Sequence, residues 1–536
     1  MLKQADSKVG VIADDAIRAG RAYELRWWIL GVMALAVLVV VLSSSVVNIA
    51  LPTMQRELSA TMSDLQWIVN AYMLTLAGLM LTMGALGDRW GRGMMLNAGI
   101  LVFGGASLAA MFAKTAVHVI VCRAFMGVGA AMILPTTLAI ITNVFPHEER
   151  GRAIGVWAGL NSIGIALGPI IGGLLIQHFR WTSIFFLNIP IAAIAVAGGI
   201  FLVPNSRNPR PKPLDLPGTG LSIVGLGALI FGLVQGGDWG WSDPAVIGSL
   251  AGAAVFIAAF VAWERTTRHP MLELGFFRRP RFSCGVGAVS IMSLGLVGVT
   301  FSLTLFMQFV KGYDALQTGV RLAPLAVGIF LGAGSADRLV KRFGTTGVMA
   351  AGFVGVAAIS LLIAFASFGI LYWKLGLIFF GLGLFLGFIA APATDAVMGA
   401  LPRAKAGIGS AMNTVSRMVA GAVGVAALGS ALSSVYTASF LRGVGVIEGL
   451  PAAAAEAAGE SVGAGIIVSS RLPASVGEAT ATLARESFME GWHVMAYIAL
   501  GLCLLGAIVI LRFMPGRRAL EKSRSGDRPV EERAGG

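Results

Sequence analysis

Long apolar stretches, separated by short polar breaks, occupy almost the whole chain. Fourteen of them approach or exceed the roughly 20 helical residues that are needed to cross a bilayer core of about 30 Å. They lie at residues 27–51, 65–86, 94–113, 117–142, 153–176, 182–203, 217–236, 245–264, 283–309, 317–335, 346–367, 374–400, 407–432 and 491–513. This pattern predicts an all-α membrane protein with fourteen transmembrane helices.

The charged residues indicate an orientation for these spans. With a cytoplasmic amino terminus, 29 Lys and Arg fall in the tails and inner connections and 9 on the outer side. Because Lys and Arg collect on the cytoplasmic side, we expect both termini in the cytoplasm and a multi-pass protein of the plasma (inner) membrane. The net charge of +13 is then explained by basic connections that face lipid headgroups, and no nucleic-acid partner is expected.

Breaks in the apolar pattern divide the spans into groups of six, two and six. The basic, proline-rich stretch from Pro204 to Pro213 indicates an inner linker. The predicted segments are an amino-terminal tail 1–26, a six-helix bundle 27–203, a linker 204–216, two additional helices 217–264, a connector 265–281, a second six-helix bundle 282–513 and a carboxy-terminal tail 514–536. The outer connection at about 433–490 is rich in Ala and Gly. It predicts either amphipathic surface helices or a disordered flap.

A short internal echo supports two related halves. Four residues after the second span recur after the tenth at one constant offset. They are Leu86, Arg89, Trp90 and Gly91, which match Leu339, Arg342, Phe343 and Gly344. Parallel repeats of six spans are a known transporter layout, so the echo favours transport as the function.

The connection after the second span concentrates glycine and charge. It contains Gly84, Asp88, Arg89, Gly91 and Arg92. Glycine permits a tight reversal, Asp88 is placed to cap the following helix, and the arginines are placed to pair with a helix end or lipid phosphate. We interpret this cluster as a conformational latch. The alternative is an ordinary basic turn on the cytoplasmic side.

The fifth span carries small residues at helical spacing. The residues in question are Gly164, Gly168, Pro169, Gly172 and Gly173. Glycines four residues apart open a groove for a neighbouring helix, and proline bends the span. The alternative to a role in antiport is glycine packing alone.

These motifs resemble those of a known family. The string from Gly84 to Gly93 resembles the loop signature of the major facilitator superfamily, and the string from Gly164 to Gly173 resembles the antiporter signature of its drug exporters. Arg180-Trp181 with the string from Phe185 to Pro190, and Asn48-Ile-Ala-Leu-Pro52, look like the fourteen-span drug:proton antiporter branch, the EmrB/QacA group.

The resemblance implies a fold and a function. It implies the major facilitator fold in a 6+2+6 arrangement, whose two bundles rock around a central cavity and export drugs or amphipathic metabolites by alternating access. No GxxxxGK[ST] phosphate-binding string is present, so we expect a proton as the coupling ion and no other cofactor. The expected partners are a small amphipathic substrate and the lipid membrane. We expect a monomer, with a periplasmic adaptor where a second membrane exists.

An enzyme is not expected. The three cysteines fall inside apolar runs without metal-ligand spacing, and the spans show no nucleophile and base pair. An intramembrane enzyme is therefore the weakest hypothesis, and no metal site is predicted.

Arg123 lies inside the fourth span, where a charge costs several kcal/mol unless it meets a partner or water. In the family pattern, Ser43 takes the place of a proton-exchanging aspartate and Met126 the place of a glutamine. Ser43 and Arg123 are predicted to lie at equal depth. Because serine does not titrate near neutral pH, a second hypothesis is a facilitator with altered or absent proton coupling, for neutral or anionic cargo.

Asp395, near the inner end of the twelfth span, is the predicted substitute for the missing acid. Arg417, near the middle of the thirteenth span, is its predicted partner. A buried pair of this kind is able to couple protonation to packing. The alternative is a static ion pair at a helix end.

The remaining candidates are side chains within spans that suit a cavity lining. They are Asn48, Gln66, Trp67, Asn70, Met126, Asn161, Gln308 and Asn413. Polar groups in an otherwise apolar cavity orient a ligand, and methionine adapts to varied shapes. The alternative for each residue is packing between helices.

Overall fold

The computed structural model describes residues 21–207, 213–401 and 406–515, and every regular element in these ranges is helical. The longer helices of the first half are α1 Arg26–Leu58, α2 Met62–Trp90, α3 Arg92–Ala110, α4 Ala116–Val144, α5 His147–His178, α6 Asn188–Leu202, α7 Leu216–Asp238 and α8 Pro244–Thr266. The α-helices of the second half are α9 Pro280–Leu305, α10 Ala315–Arg321, α11 Ala323–Ala364, α12 Tyr372–Gly399, α13 Ala406–Gly443, α14 Ala452–Gly459, α15 Val462–Ser469 and α16 Ala474–Phe513. Most of both predicted tails, and residues 208–212 of the linker, lie outside the described residues.

Within the described ranges, twelve helical stretches are long and apolar enough to cross a membrane. Two of the fourteen predicted spans, 317–335 and 346–367, fall in one 50-residue stretch, Ala315–Ala364. The predicted span 153–176 falls in α5, whose apolar part, Ile163–His178, is shorter. The all-helical class is confirmed, and the number of candidate spans is lower than the sequence predicts.

Polar caps fix where several helices begin. Thr61 precedes α2, and its hydroxyl accepts a hydrogen bond from Asp64 N at 3.1 Å while the Asp64 carboxylate accepts one from Thr61 N at 3.0 Å. Asp215 caps α7 and Asp243 caps α8, each through a side-chain oxygen that accepts from a backbone amide. Pro217 and Pro244 lie in the first turns of these helices. These side chains satisfy amide groups that have no partner within the helix.

The internal echo is visible in the backbone. Gly91, between α2 and α3, has φ of 123° and ψ of 131°. Gly344, at the matching place, has φ of 78° and ψ of 159° and interrupts α11. Both lie in a region of positive φ that residues with a side chain rarely adopt. The two matching glycines of the predicted repeat therefore share a positive φ, and the repeat of the halves itself stays a prediction.

The predicted capping role of Asp88 is wrong. Asp88 instead accepts two hydrogen bonds from the Arg92 guanidinium, at 2.8 and 2.9 Å. The amide at the start of α3 is capped from the linker, since Met94 N donates to the Asn205 side-chain oxygen at 3.2 Å. Arg92 N donates to Ser206 O at 2.9 Å, and a Cβ on Gly91 would collide with the Asn205 side chain. Hydrogen bonds from the linker therefore hold the turn at Gly91 in place. Arg89 is exposed.

The glycines of α5 form the predicted groove, and α1 fills it. A Cβ on Gly164 would lie 3.1 Å from Leu38 Cδ1, and one on Gly172 would lie 2.8 Å from Val46 Cγ1. Between them, a Cβ on Gly168 would collide with Ser45 Cβ. Three glycines at four-residue spacing thus bring the two helices to a distance that no larger residue permits.

A second side of α5 contacts α10. A Cβ on Gly173 would lie 2.6 Å from Leu316 Cα, and Gly319 lies directly against the carbonyl group of Pro169. Backbone meets backbone here because both helices contribute a glycine. The glycine-rich end of α5 is thus held between α1 and α10.

Contacts divide the chain into two compact units. The first comprises Met1–Leu272, Val297–Ala323 and Gly421–Trp492. The second comprises Glu273–Leu296, Pro324–Ala420 and His493–Gly536.

Residues 433–490 contain helices, as one of the two alternatives predicts. Tyr436 donates a hydrogen bond from its hydroxyl group to Ala458 O in α14 at 2.7 Å. Gln55, near the end of α1, donates to the Ser461 hydroxyl group at the start of α15 at 2.8 Å. We call this part of the first unit, where α14 and α15 meet α1, the loop end.

We predict that Asn205→Ala lowers the free energy of unfolding by about 1 kcal/mol, because the first amides of α3 lose their cap. Thermal unfolding of the purified protein in detergent measures the change. Ser206→Ala is the matched control, since the Ser206 hydroxyl group has no hydrogen-bond partner within the described part of the chain. Equal shifts in both variants would contradict a capping role for Asn205.

We also predict that Gly168→Ala destabilises the protein by about 1–3 kcal/mol, the usual range for overpacking. The new methyl group would collide with Ser45 and push α5 away from α1. Gly159→Ala is the control on the same helix, because nothing lies within 4 Å of a Cβ at that position. If both variants unfold at the wild-type temperature, α1 and α5 leave enough space for an alanine at residue 168 and the prediction is wrong.

Candidate functional site

Arg123 lies in the interior of the first unit and is 1% exposed. Its Nε donates a hydrogen bond to Ile68 O at 3.1 Å. Its guanidinium carbon lies 4.1 Å from the centre of the Tyr72 ring, and the Tyr72 hydroxyl group donates to Val40 O at 3.3 Å. The cation is therefore held by a carbonyl group and an aromatic face, both of which favour the charged form.

Ser43 is the side chain of α1 that reaches Arg123. It is 2% exposed, and its hydroxyl oxygen accepts a hydrogen bond from Arg123 Nη1 at 3.4 Å. The predicted match in depth is confirmed. Among the described residues no carboxylate forms an ion pair with Arg123. A charge that would normally be paired is thus left with neutral partners.

Two neighbours in the predicted motif add no charge to this site. Met126 is completely buried in α4, so the place of the expected glutamine is apolar. Asn48 donates a hydrogen bond to Ser44 O of its own helix at 3.5 Å. Neither of these two residues forms an ion pair or a hydrogen bond with Arg123 among the described residues.

Gln66 and Gln308 join helices at the loop end of the first unit. Gln308 lies in a short π-helical turn after α9 and donates a hydrogen bond to Ile49 O at 2.9 Å. The side-chain oxygen of Gln66 accepts a hydrogen bond from the Ser430 hydroxyl group at 3.4 Å. For these two residues the geometry favours helix packing over cargo contact.

Asn70 differs from the other amides. It is completely buried, and neither its side-chain oxygen nor its nitrogen has a hydrogen-bond partner among the described residues. Leaving such a group unpaired costs about 1–3 kcal/mol. Asn70 lies on α2 between Ile68 and Tyr72, both of which contact Arg123. Its amide is thus an unpaired polar group next to the residues that hold Arg123.

Trp67 contacts α7. Its ring centre lies 6.5 Å from that of Phe231 in α7. This contact explains the residue without any ligand. The side chain of Asn161 lies outside the described residues, so its predicted place in a cavity stays a prediction.

In the second unit, the predicted pairing of Asp395 with Arg417 is wrong. Asp395 forms its ion pair with Arg281, at the start of α9, at 3.2 Å. The Asp395 side chain is 71% exposed and that of Arg281 is 22% exposed. A mostly exposed carboxylate at a helix end matches the static ion pair that we considered as the alternative.

Arg417 and Asn413 lie one helical turn apart on α13. The side-chain oxygen of Asn413 has no hydrogen-bond partner among the described residues, although the residue is only 9% exposed. Within the described part of the second unit, no ion pair of Arg417 is found. The middle of α13 thus carries two polar side chains that local packing does not explain.

Comparison with known proteins agrees with this architecture. The model of the Major Facilitator Superfamily matches residues 33–425. The "Tetracenomycin C resistance and export protein" of Streptomyces glaucescens is 32% identical over 512 residues, which cover 92% of this chain and 94% of that protein. The "Multidrug efflux pump LfrA" of Mycolicibacterium smegmatis is 33% identical over 485 residues, 90% of this chain and 95% of that protein.

A solved structure shares the fold. A bacterial homologue of the human lysosomal transporter Spinster, in an inward-facing and unoccupied conformation, aligns with a TM-score of 0.62 at 15% identity. The alignment covers 93% of this chain and all of that one. From the family match and the relatives that cover nearly its full length, the chain is a multi-pass membrane transporter, not an enzyme, and belongs to the major facilitator superfamily.

Proposed function

We propose that this transporter exports amphipathic small molecules from the cytoplasm by alternating access, with the proton gradient as its source of energy. Two relatives that align over more than nine tenths of their length are named as an export protein and an efflux pump. Their printed names support export as the direction and varied small molecules as the cargo. The membrane potential supplies about 2.3 kcal/mol per charge per 100 mV, which is sufficient for useful accumulation ratios.

The observation that carries this proposal is the contact of α5 with α1 and α10. Gly173 and Pro169 bring the α5 backbone against Leu316 and Gly319 of α10. In the proposed orientation these contacts lie toward the outside and close the exit. Because these contacts are made by glycine and backbone atoms, the helices can separate and re-form them during transport.

We propose the fourteen-span topology of the drug:proton antiporter branch, arranged as six, two and six helices with both termini in the cytoplasm. The 50-residue stretch is broken at Gly344, where the chain is not helical. The 32 residues of α5 are sufficient for one crossing. The two additional spans are α7 and α8, and α7 packs on α2, where Thr82 and Thr219 share a hydrogen bond of 2.6 Å.

The second candidate function is a facilitator for neutral or anionic cargo with altered or absent proton coupling. The observation that favours it is Arg123, which is buried beside Ser43 without a carboxylate among the described residues. A cargo that carries an acidic group would supply the missing negative charge, and Asn70 would supply a hydrogen bond. We expect a monomer, with a periplasmic adaptor where a second membrane exists.

We predict that cells that lack other pumps accumulate less of a fluorescent lipophilic dye or an antibiotic when they express this protein. A protonophore should abolish the difference, because it dissipates the gradient that drives export. The measurement is cell-associated dye or drug with and without the protonophore. Equal accumulation in expressing and control cells, across a panel of neutral, anionic and cationic compounds, would contradict export.

We predict that Ser43→Asp raises the export of lipophilic cations about tenfold, which corresponds to about 1.4 kcal/mol. The new carboxylate would pair with Arg123 and provide a group that exchanges a proton. Ser43→Asn is the matched control, because it has the same shape as aspartate but does not titrate. The idea that serine at residue 43 shifts cargo preference away from cations fails if Ser43→Asp gives no gain over Ser43→Asn.

A further inference from the structure

Two carboxyl groups meet where α7 begins and α8 ends, away from the Arg123 site. Asp215 caps α7, and its Oδ1 accepts a hydrogen bond from Gly218 N at 2.9 Å. The same oxygen accepts one from the indole nitrogen of Trp263 at 2.8 Å. Asp215 Oδ1 therefore accepts two hydrogen bonds, and through them it connects the start of α7 with the last turn of α8.

Glu264 is the second carboxyl group and is only 4% exposed. Its Oε2 accepts a hydrogen bond from Leu272 N at 2.8 Å. Leu272 lies in the connector after α8 and is the last residue of the first segment of the first unit. Glu264 thus holds the connector against the end of α8.

The other oxygen of each group, Asp215 Oδ2 and Glu264 Oε1, has no donor among the described residues. These two oxygens approach the same point, since a Cβ on Gly218 would lie 2.5 Å from the first and 2.8 Å from the second. Both oxygens thus lie against Gly218, and the two carboxyl groups are close enough to interact. Two acceptors therefore face one another with no hydrogen atom from the chain between them.

Charge makes this arrangement unfavourable if both groups are ionised. Carboxylates in contact repel, and burial of Glu264 strengthens the repulsion. Among the described residues, the titratable group of α7 beside Glu264 is Asp215, and the connector contributes the backbone amides of Met271 and Leu272. Arg265, Arg268 and His269 are exposed, and among the described residues neither acid forms an ion pair.

We propose that Asp215 and Glu264 form a proton-binding site that holds one proton between Asp215 Oδ2 and Glu264 Oε1 at neutral pH. The proton converts two facing acceptors into a charge-assisted O–H···O hydrogen bond, and it belongs to the pair rather than to either residue. It fastens the start of α7, the end of α8 and Leu272 together. Loss of the proton leaves two like charges at this junction and loosens it.

Infrared spectroscopy of the full-length protein in lipid tests the site directly. We expect the carbonyl stretch of one protonated carboxyl group at pH 7, where exposed Asp and Glu are ionised. Glu264→Gln should lose this band and keep the fold, because its amide oxygen accepts from Leu272 N and its amide nitrogen donates to Asp215. Asp215→Asn should lose the same band for the corresponding reason.

Asp243→Asn is the matched control, because Asp243 caps α8 as Asp215 caps α7, and its hydrogen bonds among the described residues are with the backbone nitrogens of Ala245 and Val246. This variant should keep the band. The proposal is overturned if the wild-type protein has no such band, which would mean that both groups are ionised beside a bound cation or beside Arg210 or Lys212, which lie outside the described residues. It is also overturned if the band survives in both Glu264→Gln and Asp215→Asn.

Thermal unfolding as a function of pH gives an independent readout. The site stabilises the folded protein while it holds its proton, so the stabilisation is present at low pH and is lost as rising pH removes the proton. The unfolding temperature of the wild-type protein should therefore fall on the alkaline side by more than that of Glu264→Gln, in which the hydrogen bond persists at every pH. If the unfolding temperatures of the two proteins fall equally at alkaline pH, the proposal that the shared proton joins α7, α8 and Leu272 is overturned.

Discussion

A polar group inside a membrane protein must find its partner within the chain, because lipid offers none. This constraint explains why every regular element of the described residues is a helix and why polar side chains cap the start of several helices. It also explains how Arg123 is held, by a carbonyl group, a hydroxyl group and an aromatic face. The places where the constraint is not met, such as the amide of Asn70, are therefore the most informative about function.

Close approach between helices is the second consequence of the lipid environment. Without a hydrophobic driving force between spans, contact depends on small residues that let backbones touch. The glycines of α5 place one helix against both α1 and α10. Glycine has a different role at Gly91 and Gly344, where its positive φ turns the chain at matching places of the predicted repeat. The contacts of α5 are made by small residues and backbone atoms, which is the kind of contact that the proposed alternating access needs to break and re-form.

The features that the sequence predicts correctly depend on local spacing. Apolar length gives the helices, four-residue spacing gives the groove of α5, and a constant rise per residue gives the common depth of Ser43 and Arg123. The features that it misses depend on which distant segments meet. Asp395 finds Arg281 rather than Arg417 because α9 begins beside the end of α12.

The same limit applies to the linker and the accessory helices. Asn205 carries no signal that identifies a cap for a helix more than a hundred positions away, and Asp88 was the nearer candidate. The string Leu214-Asp215-Leu-Pro-Gly218 is visible in the sequence, but its facing partner Glu264 becomes apparent only when the end of α8 is placed beside the start of α7.

Arg123 and the pair of Asp215 with Glu264 are opposite cases of unbalanced charge. Arginine does not release its proton in a protein, so a buried Arg123 beside a neutral Ser43 is balanced only by an anion from outside the described chain. A carboxyl pair is balanced by a proton, which is lost only when the pH rises through the range where the pair titrates. In the second candidate function, Arg123 binds a negatively charged group of the cargo, whereas the proposed proton site responds to pH. The family resemblance implies a titratable aspartate where this chain has Ser43, so residue 43 itself adds no response to pH beside Arg123. Response to pH at the junction of α7, α8 and the connector does not require that the cargo site itself titrates.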